Sequence, residues 1–352
     1  MPEPDSVTKP AVTAVAGFYL LNEGNMGSNK STLDYWDAAS GQYFRNIFAA
    51  ANPDVPKEMG DVGNDIAVYG SRLYAVINCS NKIEIMDAAT ARKLGQVNVP
   101  NCRYLAFDGP YAYVTSYAGP VRIDPDYKQR GFVARIDTAT MAVTDTVLVG
   151  YQPDGIAIAG GKAYVANSGG YMVPRYERTV SVIDLATFKV ERLIDVAVNL
   201  QYCMADANGC IWISSRGDYY DTSSRLYCYD PAAGRIVADL DVAVGDMWLD
   251  DNRLYIVATA WSYVSMSNTT SYAVVDVDTK TVVTDMFITD GTHTQIKVPY
   301  GIAVNPVSKE IYVTDALNYV NPGNLYCFSP DGKLQWSVRT GDIPAHFAFM
   351  TK

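Results

Sequence analysis

Val180-Ser181-Val182-Ile183-Asp184, followed by Leu185-Ala186-Thr187-Phe188-Lys189-Val190, reads as a β-strand closing on an acid, a tight turn and the opening of a second strand. The phrase returns at 33–37, 83–87, 133–137, 226–230, 273–276 and 325–329. Its closing positions are 37, 87, 137, 184, 230, 276 and 329, so the copies recur every 46 to 53 residues. A period of that size carried by strands is the signature of propeller blades. Seven copies predict an all-β, seven-bladed β-propeller.

The repeated acid has a local explanation. An Asp followed by small or turn-forming residues accepts hydrogen bonds from backbone N–H groups two or three residues on and braces a hairpin. The turns Asp-Ala-Ala-Ser-Gly (37–41), Asp-Thr-Ala-Thr (137–140) and Asp-Leu-Ala-Thr (184–187) fit that chemistry. These acids are read as architecture.

Around the phrase, each copy supplies four strands. A first strand such as 66–69 or 156–159 ends at a Gly-containing turn, and an aromatic, β-branched second strand follows, as in Tyr164-Val165-Ala166 or Ile211-Trp212-Ile213. Such residues suit a pleated surface packed on both sides. The phrase is the third strand, and a less regular outer strand completes the blade. The first copy opens at Gly17 on a second-type strand, Phe18-Tyr19-Leu20-Leu21, and lacks a first. One spare segment remains at the other end, Ala345-His346-Phe347-Ala348-Phe349-Met350. It is expected to close the first blade beside Tyr19, which removes the open sheet edges. Residues 17–352 therefore form the propeller, and the polar, Pro-rich 1–16 reads as an N-terminal linker or tether.

Composition narrows the function. The 352 residues carry 28 Lys and Arg against 38 Asp and Glu, a formal charge of −10. That balance argues against nucleic acid, whose binding rests on phosphate neutralisation by basic side chains. No apolar run is long enough to span a bilayer, and the opening residues have no apolar core of a signal peptide. The six cysteines fit no metal spacing. Cys203, Cys210, Cys228 and Cys327 read as small buried hydrophobes, while a Cys79–Cys102 disulfide is left open.

Loop lengths point to one face. The connections between second and third strands are long in six of seven blades: 22–30, 116–130, 167–178, 215–224, 259–270 and 315–323. They emerge on the face where one blade passes to the next, and long loops on a rigid scaffold are where binding residues concentrate. They carry Tyr117, Tyr171, Arg175, Tyr176, Arg216, Asp218, Tyr219, Tyr220, Trp261, Tyr263, Asn318 and Tyr319, and the blade-linking segments add Tyr151, Tyr202 and Tyr300. These residues are the candidate ligand-binding set. Aromatic rings give large contact area, while their polar tips and nearby Arg fix orientation; packing of loop on loop explains any single Tyr equally well.

Catalysis has little to stand on. The chain has only two histidines, His293 and His346, and no Gly-x-Ser-x-Gly elbow or dinucleotide-binding glycine pattern. No catalytic residue, metal or cofactor is expected. His346 heads the closing strand and is expected to look into the central channel. Asp124, Asp126, Asp218 and Asp221 are considered for calcium, but no loop pattern matches.

Two resemblances add to this. Tyr-Val-Ala-Asn-Ser (164–168) with the phrase at 180–184 resembles YncE-like, surface-layer-type propellers over residues 17–352. More narrowly, Leu-Asn-Glu-Gly-Asn-Met-Gly-Ser-Asn-Lys (21–30), Ala-Asn-Ser-Gly-Gly-Tyr (166–171), Ser-Ser-Arg-Gly-Asp-Tyr-Tyr (214–220) and Tyr-Val-Thr-Asp-Ala (312–316) resemble BtuG-type propellers, surface lipoproteins of gut Bacteroidetes. The resemblance implies a binding protein, not an enzyme, that captures cobalamin (vitamin B12) as a transported ligand and delivers it to an outer-membrane TonB-dependent transporter. It also implies a cell-surface lipoprotein held to the membrane only through a lipid anchor absent from this chain, with 1–16 as the tether. In a corrinoid, Arg175 or Arg216 would meet the nucleotide-loop phosphate. A cell-surface glycan- or protein-binding scaffold fits the same aromatic loops and is the alternative.

Overall fold

Seven four-stranded antiparallel sheets stand around a central channel in a computed structural model that describes residues 12–55 and 58–352. Blade 1 holds β1 (Val15–Asn22), β2 (Thr32–Asp37) and β3 (Gln42–Phe44), and a short helix α1 (Ile47–Ala51) follows it. Blade 2 is β4 (Gly63–Tyr69), β5 (Arg72–Ile77), β6 (Lys82–Asp87) and β7 (Lys93–Asn98). Blade 3 is β8 (Cys102–Asp108), β9 (Tyr111–Ser116), β10 (Phe132–Asp137) and β11 (Ala142–Leu148). Blade 4 is β12 (Pro153–Ala159), β13 (Lys162–Asn167), β14 (Thr179–Asp184) and β15 (Lys189–Asp195). Blade 5 is β16 (Leu200–Ala205), β17 (Ile211–Ser215), β18 (Arg225–Asp230) and β19 (Arg235–Leu240). Blade 6 is β20 (Asp246–Asp250), β21 (Arg253–Ser262), β22 (Ser267–Asp276) and β23 (Thr281–Thr284). Blade 7 is β24 (Pro299–Val304), β25 (Ile311–Asp315), β26 (Pro322–Phe328) and β27 (Leu334–Asp342).

The last strand, β28 (Pro344–Thr351), pairs with β1 in the first sheet, with Leu20 opposite Phe347 and Tyr19 opposite Ala348. The expected closure is what the chain adopts. Its seam is aromatic: the Phe18 ring lies 4.7 Å from Tyr312, 5.5 Å from Phe347 and 5.7 Å from Phe349. Residues 1–11 of the segment read as a linker lie outside the described residues, and β1 begins at Val15, inside that segment.

The repeated acids brace turns. Asp184 Oδ1 accepts the Thr187 N–H at 2.8 Å, and Asp37, Asp137, Asp230 and Asp276 do the same with Ser40, Thr140, Ala232 and Thr279. Between blades the core is layered from both sheets; Trp212, fully buried, still donates its indole N–H to Asp206 at 2.9 Å.

The innermost strands touch one another where the ring is tightest. A side chain at Gly155 would stand 2.6 Å from the Cys203 nitrogen, and one at Gly301 would stand 2.0 Å from the Ala345 carbonyl oxygen. Both positions need glycine for close approach rather than for backbone freedom.

One local expectation changes. Residues 259–270 are not a loop: β21 and β22 run on beyond the blade, pairing Thr259 with Thr270 and Trp261 with Asn268, and turn only at 263–266. The run Ala258-Thr259-Ala260-Trp261 alternates like a strand, and its partner is rich in Thr and Ser, which suits pairing. The disulfide left open between Cys79 and Cys102 is not formed: all six cysteines are free thiols, and Cys102 is a buried residue heading β8.

Candidate functional site

On the long-loop face the channel widens into a bowl of about 620 Å³. Loops are tied to one another around it. Asn25 donates its amide to the Tyr319 carbonyl, the Tyr263 N–H donates to the Tyr219 carbonyl at 2.8 Å, and the Asp124 N–H donates to the Tyr171 carbonyl at 2.8 Å. Tying the loops together this way fixes the aromatic walls before any ligand arrives.

Of the candidate residues, the structure gathers Tyr171, Tyr202, Arg216, Tyr219, Trp261, Tyr300 and Tyr319 on the bowl wall. The others lie elsewhere. Tyr117 is fully buried beneath the wall, its hydroxyl donating to Asp154 at 2.7 Å. Arg175 is outside, ion-paired with Asp126. Asp218 braces its own loop by accepting the N–H groups of Tyr220 and Thr222, and Asn318 does the same for Val320 and Asn321. Tyr220 and Tyr263 stack on each other at 5.1 Å on the exposed outer rim. Tyr151 is half-buried with its N–H on the Glu177 carboxylate, and half-buried Tyr176 has its phenol pushed up to about 12, by burial first and then by Tyr219 and Asp218. Among the described residues no group of three His, Cys, Asp or Glu side chains is arranged to hold a metal ion.

The floor carries residues that the loop-by-loop reading passed over. Asp154, with no exposed surface, accepts from Arg103 Nε at 3.0 Å on Oδ1 and from Arg216 Nη1 at 3.0 Å on Oδ2. Burial alone would raise its pKa; Arg103 and Arg216 outweigh that and hold the carboxyl below the usual range. The Arg103 guanidinium lies over the Tyr117 ring at 4.7 Å. Across the bowl, Glu23 accepts the Tyr300 hydroxyl at 2.9 Å and lies 3.1 Å from His346 Nε2. Burial would lower the His346 pKa, but Glu23, Asp65 and Asp246 raise it.

A waist formed by Tyr104, Tyr202, Asp246 and His346 separates the bowl from a second cavity of about 670 Å³ in the opposite half of the channel. Asp65 accepts the Leu105 N–H, and Asp246 accepts the Ile302 N–H at 2.9 Å, so each acid ties its blade to the next. A signal for this floor exists in the sequence: Asp65, Asp154 and Asp246 each stand just before the apolar run of an innermost strand.

Burial pushes Asp65 and Asp246 up to about 6, with His346 pulling the other way. Between about pH 4 and pH 6 these two acids therefore keep protons in the folded chain that the unfolded chain has released, so their contribution to stability falls as pH rises through that window. Asp246→Asn keeps an oxygen for the Ile302 N–H and removes the ionisation. The variant is expected to be more stable than the parent at pH 8 by about 1 to 3 kcal/mol and to lose most of that gain at pH 4. Thermal melts at both pH values check it; an equal gain at each would contradict the burial effect.

Comparison with known proteins agrees with this architecture. A protein-family model described as "Domain of unknown function (DUF5074)" matches residues 16–328. Similar solved structures include a quinoprotein alcohol dehydrogenase-like protein from Bacteroides thetaiotaomicron, 15% identical with a TM-score of 0.63, covering 95% of this chain and 78% of that one. Kuenenia stuttgartiensis hydrazine synthase is 18% identical with a TM-score of 0.62, covering 81% of this chain and 88% of that one. The Neurospora crassa Pan2 WD40 domain is 8% identical with a TM-score of 0.56, covering 82% of this chain and 79% of that one. At such identities the likeness is one of fold. No curated protein matches the sequence.

Proposed function

The chain belongs to the DUF5074 family, and we propose that it is a non-catalytic binding protein whose bowl captures cobalamin. The observation that carries this reading is the bowl itself: seven Tyr and Trp side chains, Tyr104, Tyr171, Tyr202, Tyr219, Trp261, Tyr300 and Tyr319, share about 620 Å³ with the amides of Asn25, Asn64, Asn78 and Gln201 and two guanidiniums. Ligand pockets share this mix of apolar area with a few polar anchors, and a bowl of this volume seats one part of a corrinoid, the rest standing proud of it. A corrinoid offers a broad apolar ring fringed by amides, which aromatic faces and side-chain amides match. The titratable groups of the floor are engaged with one another, Glu23 with Tyr300 and His346, and Asp154 with two arginines, which suits holding a ligand rather than transforming it.

The resemblance of residues 21–30, 166–171, 214–220 and 312–316 to BtuG-type propellers supports the corrinoid. It also supports hand-over to a TonB-dependent outer-membrane transporter by a lipid-anchored surface protein. Exposed apolar side chains on the same rim, Met26, Tyr220, Val264, Met266 and Val320, suit a face that meets another protein.

Calorimetry and absorbance with cobalamin test the reading. Trp261→Ala and Tyr219→Ala are each expected to weaken binding by about 1 to 3 kcal/mol, with Lys189→Ala on an outer hairpin unchanged. If both wall variants bind as the control does, the bowl is not the site. If the unmutated protein binds no cobalamin, the surface scaffold for glycan or protein takes its place.

A further inference from the structure

The two arginines of the bowl wall carry more charge and more donors than their shared partner can use. Arg103, on β8, and Arg216, just after β17, are clamped by one carboxylate, Asp154 at the head of β12. A guanidinium stays protonated in proteins, and Asp154 stays ionised, so the cluster keeps one surplus positive charge. The side chains of Arg103 and Arg216 are only 13% and 23% exposed, so little bulk water screens it.

Each guanidinium has five N–H donors. Among the described residues, Arg103 spends Nε and Arg216 spends Nη1 on Asp154, and neither makes another side-chain hydrogen bond. The remaining donors belong to side chains that line the bowl. Their positions are set in advance, since Asp154 fixes one edge of each group and the Tyr117 ring supports the plane of Arg103. Rigid guanidinium forks with most of their donors free match the geometry of a phosphoryl group. Two carboxylates line the same bowl away from the arginines, Glu23 beside His346 and Asp246 at the waist, so an anionic ligand group is favoured on the arginine side.

We propose that Arg103 and Arg216, held by Asp154, form an oxyanion subsite that takes the phosphodiester of the bound ligand and so sets its orientation in the bowl. The identity of that ligand rests on the corrinoid reading above; the subsite does not. The sequence singles out Arg216 alone; Arg103 and Asp154 join it only in the folded ring.

The test compares cobalamin with cobinamide, which ends before the nucleotide loop and lacks the phosphodiester, by calorimetry on the intact chain. The parent protein is expected to bind cobalamin at least about tenfold more tightly than cobinamide, as a charge-assisted contact requires. Arg103→Gln and Arg216→Gln should each remove most of that preference by weakening cobalamin alone, and Arg103→Lys should keep part of it. Thermal melts confirm that each variant is folded. Equal affinity of the parent for both ligands, or variants that weaken both alike, overturns the subsite and leaves the corrinoid reading standing. If the parent binds neither, that reading falls, and phosphorus NMR with inorganic phosphate decides: saturable binding lost in Arg103→Gln sustains the subsite, and no saturable binding removes it.

Discussion

Truncation after Gly341 is expected to leave a chain that does not fold cooperatively. The cut removes β28, which pairs with β1 from Val15 to Asn22 and supplies Phe347 and Phe349 to the aromatic seam between blades 7 and 1. Losing the buried Phe347 ring costs about 3 to 5 kcal/mol, and the half-buried Phe349 adds to that, before counting the strand hydrogen bonds. A domain has about 5 to 15 kcal/mol of net stability in total, so the loss consumes most of it. The cut also opens the ring, exposing the edge of β1 to pairing with other chains. Circular dichroism and light scattering should report lost cooperativity and aggregation. A synthetic peptide covering residues 342–352, added in trans, should restore part of the melt. A truncated chain that melts within a few degrees of the parent would show that the closing strand does not hold the ring.

The second large effect is expected at Asp154. Replacing it by Ala leaves Arg103 and Arg216 facing each other with no anion between them and strips the Tyr117 hydroxyl of its acceptor. Breaking a buried ion pair by removing one partner typically costs about 3 to 5 kcal/mol, because the stranded charge is worse than the lost contact. Asp154→Asn keeps the shape and one oxygen acceptor and should fall between the parent and Asp154→Ala. Urea unfolding of the three proteins measures the series. A cost for Asp154→Ala below about 1 kcal/mol would mean that water in the bowl solvates both guanidiniums. The same substitution should abolish any preference for a phosphate-bearing ligand, since the forks lose the edge that positions them.

The two predictions bear on different levels of organisation. The first concerns the strand that closes the ring and would hold for any side chains in the bowl. The second concerns a triad whose members are 51 and 62 residues apart along the chain. It tests whether the ring has been used to assemble a charged floor.

What the amino-acid order determined by itself was the repeat. A strand ending on Asp184 and braced by Thr187 is made from neighbours, and the same local chemistry recurs around Asp37, Asp137 and Asp276. Blade number, hairpin turns and the spare strand at 345–350 were legible for that reason. Which loop residues face inward was not. Tyr117 turns down onto Asp154 while Tyr220 turns out to stack on Tyr263, though both stand in loops between the second and third strands of their blades. The extension of β21 and β22 past the blade was also hidden, because Ser, Thr and Asn at 267–271 suit loop and strand alike until a partner strand is present. Arg103 and Asp154 gave no local sign of belonging together. Innermost strands of successive blades meet only when the ring closes, and the tertiary structure alone brings those side chains onto one floor.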